Sequence, residues 1–389
     1  MKYKKKKILF INGHMSYGGV ERSLLDLLRN INYEKYEVDL LLLEGKGEYF
    51  ENIPIQTNII YKNLNNTHGS FIKSIGQCLK QRDLLSLFTR ILFLGGKVLH
   101  PYVLKLVRIP LLGNKAYDFA VAYRTGICTA LVEYVVKAKN KTTWWHHGEI
   151  NLLDEQLKAF EKTCIKFKNI VVVSKSCEKM LIEVIPSIRK YITIIPNMID
   201  IKNINVMALK FTPNFNKEKK HFVTACRIAP EKHIENVIYT SELLIQQGFT
   251  NFQWHIIGDG DDLKKMQALS NARKTTNHIL FEGKKANPYP FIKYADIYIH
   301  TSYIESQGLS ILEAMALKTP CIITDNAGIR DYANINNSII VNQGVEPLVN
   351  AILEIAYDRG KYNLLKQGTK CPDKFIAKNI IKKIEQFLE

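Results

Sequence analysis

The chain has 389 residues, 46% of them apolar and 23% charged. That balance excludes a disordered chain, and the length favours two hydrophobic cores over one. Lys and Arg number 54 against 37 Asp and Glu, a formal +17, which suits phosphorylated or polyanionic partners or is simply a solvated basic surface. Seven scattered cysteines without a CxxC pair argue against a disulfide framework or zinc site and for a reducing compartment.

The basic start "MKYKKKK" runs into "KKILFIN", an apolar run only a strand long, which predicts a buried first strand rather than a signal peptide. "YGG" then breaks the chain, and Val20, Leu24, Leu25, Leu27, Leu28 and Ile31 mark one stripe of a first helix. "EVDLLLL", "TNIIY", "DFAVAY", "TTWWHH" and "NIVVVS" predict five more strands, and "YITIIPN" closes the half. Residues 69–115 break this grammar. They are rich in Leu, Lys and Arg with Asp83 as their sole carboxylate, which fits an interfacial helix on an anionic membrane surface or core helices with a solvated face. No stretch reaches the roughly 18 apolar residues of a spanning helix.

The second half repeats the alternation. "HFVTACRI", "FQWHIIG", "HILFEG", "DIYIHTS", "PCIITD" and "SIIVN" read as strands separated by helical patterns, and "KFIAKNIIKKIEQFLE" as a terminal helix. Strands alternating with helices predict an α/β protein of parallel sheets covered on both faces. The expected division is a Rossmann-like domain over 1–196, a second over 197–371 that begins in a polar linker at 197–220, and a helix over 372–389 packing back on the first. Two doubly wound domains facing each other put a ligand site in the cleft, at the C-terminal ends of their strands.

Candidate site residues lie at those strand ends. Gly18 and Gly19 either let a ligand approach the backbone or form a plain tight turn. In "CRIAPEKHIEN", Arg227 and Lys232 can hold a diphosphate, or can pair with Glu231 or Glu235 on the surface. In "IIGDGDDLKKM", Gly258 and Gly260 permit close backbone approach, or shape a turn in which Asp261 or Asp262 caps the next helix. Of His146 and His147, adjacent strand residues that point to opposite faces, His147 beside Gly148 is the one expected to face the cleft. No HxH or HExxH spacing suggests a metal. The fullest signal is "YIESQGLSILEAMA": Glu305 in a loop, a turn over Ser306, Gln307, Gly308 and Leu309, and Glu313 on the helix that follows.

"GGVERSLLDLL", "CRIAPEK", "IIGDGDDLKKM" and "YIESQGLSILEAMALKTPCIITDNAGIRDY", in that order, resemble the family 4 retaining glycosyltransferases of the GT-B fold (glycosyl transferases group 1). The resemblance spans nearly the whole chain and is densest over 221–332. It implies a UDP- or GDP-sugar donor held mainly by the second domain and transfer with retention of configuration to a saccharide acceptor. It further implies that Arg227 and Lys232 neutralise the leaving diphosphate and that Glu305 bonds hydroxyls of the donor sugar and Glu313 those of the ribose. The N–H groups of Gln307, Gly308 and Leu309 would cradle phosphate, Gly19 would approach the donor, and His147 would contact the transferred sugar. No bound metal or tight cofactor is implied. With the basic 69–115 segment, the resemblance points to a lipid-linked acceptor and a cytoplasmic, peripheral enzyme of bacterial capsule, exopolysaccharide or lipopolysaccharide synthesis. A nucleotide-sugar 2-epimerase of related fold is the alternative. A nucleic-acid partner is not expected, because no zinc finger, RNP pattern or recognition helix accompanies the charge. Departures from the family pattern are Met198, His233 and Ser306-Gln307, where relatives often have Gly, Gly and Gly-Phe.

Overall fold

A computed structural model describes residues 4–44, 46–61, 112–150 and 152–389. The 69–115 segment lies, up to residue 111, outside the described residues. The first half runs β1 (Lys6–Asn12), α1 (Gly19–Asn30), β2 (Tyr36–Leu42), β3 (Asn58–Tyr61), β4 (Tyr117–Ala122), α2 (Ile127–Tyr134), β5 (Ala138–Trp145), α3 (Asp154–Phe167), β6 (Ile170–Val172), α4 (Lys175–Val184) and β7 (Ile192–Ile194). These strands form one parallel sheet, in the order β3-β2-β1-β4-β5-β6-β7. β1 is a continuous apolar run because both faces are covered: Ile8 and Phe10 pack under α1, and Leu9 and Ile11 pack under α2.

The second half runs α5 (Ile201–Ala208), β8 (Lys220–Ala225), α6 (Ile234–Gln246), β9 (Phe252–Ile257), α7 (Leu263–Ala272), β10 (Ile279–Gly283), α8 (Tyr289–Tyr294), β11 (Ile297–His300), α9 (Leu309–Ala316), β12 (Cys321–Thr324), β13 (Ile339–Val341), α10 (Val345–Tyr357), α11 (Arg359–Gly368) and α12 (Ala377–Phe387). Its parallel sheet has the order β10-β9-β8-β11-β12-β13. In both sheets the chain reverses its direction of winding beside the first strand, between β1 and β4 and between β8 and β11. Crevices open at such points beyond the C-terminal ends of the strands.

The stretch expected as a linker at 197–220 contains α5, whose Ile204 and Ala208 are buried with Ile311 and Leu312 of α9. Its polar composition hid two apolar positions spaced four apart. α12 makes the reverse crossing: Ile380, Ile384 and Leu388 are at most 3% exposed and sit with Leu24 and Leu28 of α1. Burying three such side chains is worth on the order of 5–9 kcal/mol before entropy. The two crossing strands of chain run side by side: the Ile199 N–H donates to Phe375 and the Ala377 N–H to Ile199.

Candidate active site

At the end of β8 the chain turns sharply. The glycines of the 258–260 loop belong to this turn. A Cβ on Gly258 (φ 152°) would lie 1.8 Å from the Cys226 carbonyl oxygen, and one on Gly260 would lie 2.2 Å from that of Ile228. Their openness is therefore already filled by the chain's own backbone, with the Ile228 N–H donating to Asp259. Asp262 occupies the N-cap of α7, but its side chain makes no capping bond.

Arg227 leaves β8 with its side chain 71% exposed and paired to Glu231 at 2.6 Å. Lys232 turns the other way. A short 3-10 turn, Pro230–Lys232, is followed by His233 in the left-handed region (φ 49°), a conformation that glycine adopts more readily. This turn aims the Lys232 ammonium inward, 2.6 Å from Glu305 and away from Glu231 and Glu235. His300, at the end of β11, meets the same Glu305 oxygen at 3.0 Å. Because a carboxylate only accepts, His300 carries its proton on Nε2. Burial alone would raise the Glu305 pKa; Lys232 and His300 outweigh it and bring it down to about 2.

The backbone of Glu305 is gripped from both sides. A Cβ on Gly148, from the first domain, would lie 2.7 Å from its carbonyl carbon, and one on Gly328 would lie 2.2 Å from its oxygen. Gly308 (φ 68°) then opens α9. The N–H groups of Gln307, Gly308 and Leu309 find no backbone acceptor among the described residues, as expected of a helix start. The Gln307 side chain is not available to a ligand. It is 1% exposed and clasps the chain crossing, accepting from the Asn197 N–H at 2.8 Å and donating to the Asn197 carbonyl at 3.0 Å. The Ser306 N–H lies against Gly148. On α9, Glu313 accepts from the Tyr289 hydroxyl at 2.7 Å, and burial raises its pKa against the pull of Arg22.

The opposite wall is the C-terminal edge of the first sheet. Gly18 caps α1 in extended backbone, under the folded-back carboxylate of Glu21. A Cβ on Gly19 would meet the Leu309 side chain across the cleft at 3.6 Å. His147 is exposed to the cleft beside Trp145, and its pKa is lowered by its protein surroundings and by the nearby Arg124, with Arg227 adding to the effect. His146 is buried against Tyr123, with rings 4.8 Å apart, and burial pushes its pKa down to about 3.

Several site residues went unnoticed in the sequence. Arg124, just past β4, contacts His14 at 3.1 Å and Glu21 at 3.3 Å. His300 and Arg124 both stand at strand ends in an α/β chain, a signal that was available. Arg22 and Tyr289, far apart in sequence, meet at 5.4 Å, and nothing in their spacing foretells it.

Residues 207–370 match the family model described as glycosyl transferases group 1. Arg227, Lys232, Glu305 and Glu313 fall inside that group 1 stretch, whereas Gly18, Gly19 and His147 lie outside it. The chain is 26% identical over 195 residues to a poly(ribitol-phosphate) alpha-N-acetylglucosaminyltransferase of Staphylococcus aureus, covering 46% of this chain and 39% of that one. It is 23% identical over 312 residues to the S. aureus capsular polysaccharide biosynthesis glycosyltransferase CapH, covering 79% and 78%. The chain spans about two fifths to one half of the first curated relatives it matches. Among solved structures, a point mutant of S. aureus TarM in complex with fondaparinux, alpha-GlcNAc-glycerol and UDP superposes with a TM-score of 0.74 at 15% identity, covering 99% of this chain and 100% of that one. The fold is GT-B: two Rossmann-like α/β domains facing across a cleft.

Proposed function

We propose that this chain is a family 4 retaining glycosyltransferase. It would move a sugar from a UDP- or GDP-sugar to a lipid-linked saccharide acceptor in bacterial capsule, exopolysaccharide or lipopolysaccharide synthesis. The names of the relatives, which concern poly(ribitol-phosphate) and capsular polysaccharide, support that class of product, and UDP in the TarM complex supports a nucleoside diphosphate leaving group.

The observation that carries the reading is the Lys232–Glu305 ion pair, with exposed Arg227 on the same wall. In this assignment Arg227 swings from Glu231 to the diphosphate, Lys232 adds a second cation, and the N–H groups of Gln307, Gly308 and Leu309 meet phosphate oxygens. Glu305, held ionised, accepts from hydroxyls of the donor sugar, Glu313 accepts from the ribose, and His147 contacts the transferred sugar from the other wall. Gly18 and Gly19 leave room for the donor. The bond between the anomeric carbon and the phosphate oxygen breaks as the acceptor oxygen bonds to that carbon on the same face. The acceptor's proton passes to the departing phosphate. Stabilising the developing phosphate charge is the protein's main contribution.

These side-chain cations make the reaction metal-independent in this reading, so EDTA should leave turnover intact. Among the described residues, no helix is long and apolar enough to cross a membrane. We place the enzyme on the cytoplasmic face, held peripherally. The test incubates purified protein with UDP- and GDP-sugars, with and without lipid-linked saccharides. Absence of donor binding and hydrolysis, together with an inert Arg227→Ala change, sinks the transferase assignment. A sugar epimer formed without acceptor selects the 2-epimerase instead. Within the assignment, Glu313→Ala should weaken free-nucleotide binding more than Glu305→Ala does; equal losses would refute that division of labour.

A further inference from the structure

α1 carries a charged pair within its buried side. Arg22 is 9% exposed and donates to Asp26, one turn on, at 3.1 Å. The guanidinium extends past that pair into the other domain, where its carbon lies 5.4 Å from the centre of the Tyr289 ring. The Tyr289 hydroxyl in turn donates to Glu313 at 2.7 Å. The Arg22 Nη2 and Asp26 Oδ1 atoms are buried without hydrogen-bond partners. Tyr49 and Glu313 both act electrostatically on Arg22, and Asp200 and Arg29 lie within range of the same cluster.

We propose that Arg22 is a positioning residue of the donor site, reaching from the first domain to keep Glu313 ionised and aimed at the nucleotide. This rests on the assignment of Glu313 to the ribose. A packed apolar contact would join α1 to α8 at lower cost than burying a guanidinium, because desolvating ions is expensive. The arrangement gains something specific: a cation paired with Asp26 lies over the Tyr289 ring, whose hydroxyl donates to Glu313, so the charge of one domain acts on a carboxylate of the other. Burial favours the protonated form of Glu313, and Arg22 is the charge that opposes this. A protonated Glu313 would lose acceptor capacity toward hydroxyls. Nucleotide affinity therefore depends on a side chain of the facing domain.

The test measures UDP and GDP binding by calorimetry between pH 7 and 9, above the value near 6 to which burial raises Asp26. R22Q should weaken binding tenfold or more at pH 7, with a smaller loss at higher pH, because rising pH favours the carboxylate form that Arg22 otherwise supports. R22K should restore part of the affinity. On an E313Q background, R22Q should change affinity less than twofold, because the interaction it supports is gone. A loss that is equal at every pH, or that persists in full on E313Q, makes Arg22 merely structural and overturns the proposal. If R22Q does not fold, R22K, which keeps the charge but moves it, carries the test: weaker binding at pH 7 that recovers at higher pH supports the proposal, and an unchanged affinity or a loss equal at every pH overturns it. Wild-type protein that binds neither nucleotide removes the functional assignment and this proposal with it. Normal wild-type binding with unaltered Arg22 variants removes only the role of Arg22.

Discussion

On the cleft wall of the second sheet the charges already hold one another. Lys232 and Glu305 are 18% and 13% exposed and 2.6 Å apart, His300 closes on the same oxygen, and the backbones of Gly148 and Gly328 fix the loop. On the wall of the first sheet, Arg124 and His14 are 37% and 25% exposed, and their contacts to Glu21 are 3.3 and 3.8 Å long. His147 is open to the cleft. A buried pair must be assembled before a ligand arrives, since an unpaired ion there is costly. A half-solvated set can be rearranged by the ligand. The second wall therefore presents a preassembled charged set, and the first a set of cations that a ligand can rearrange.

The largest test of this contrast is Lys232→Ala. It leaves the Glu305 carboxylate buried without its main counter-ion, and should cost about 3–5 kcal/mol of stability, read by urea unfolding, with turnover lost. Arg124→Ala on the other wall should lower the unfolding midpoint less, because Arg124 is 37% exposed and its contact with the buried Glu21 carboxylate is longer, at 3.3 Å. Equal losses in the two variants would erase the distinction between the walls.

Acid should separate the walls too. Burial holds His146 at about 3 in the folded protein, against 6.5 for the free side chain. Between those values the unfolded chain binds more protons, so stability falls as pH drops from about 6.5 toward 3. Glu305, lowered to about 2, begins to contribute in the same direction only below its unfolded value near 4.5. His146→Phe should therefore flatten the pH dependence of the unfolding midpoint between pH 6.5 and 5. An unchanged slope would place the titration elsewhere.

Gln307→Ala should cost about 1–3 kcal/mol, because it strands the Asn197 N–H and carbonyl in a buried site. The smallest stability effect is expected from Arg227→Ala, whose exposed pair with Glu231 is worth about 0–1 kcal/mol. If the proposed chemistry holds, that variant loses turnover while keeping its midpoint.

Most of the fold was legible because local rules sufficed. Each described strand was visible as a short apolar run between turn residues, and the parallel sheets followed from alternation with helices. The helix Ile201–Ala208 was missed because its apolar spacing is short and set in a polar stretch. Of the site, Arg227, Lys232, Glu305 and Glu313 were visible because each sits at a strand end or on the helix that follows one. Gly258 and Gly260 were visible as a turn, but what fills the space above them was not. Gln307 looked like a loop residue, and it is a buried clasp on the chain crossing at Asn197.

By itself the sequence determined which of the described segments are strands, that there are two sheets, and which residues lie at their C-terminal edges. These follow from side-chain periodicity and from the backbone limits of Gly and Pro, which act over a few residues. Tertiary structure alone decided the partners: Lys232 with Glu305 rather than Glu231, Gly148 against Glu305, Arg22 over Tyr289. Those pairings join residues 73, 157 and 267 positions apart, and no local rule reaches that far. They exist because packing the two sheets brings together ions and backbone groups that cannot stay unpaired once water is removed.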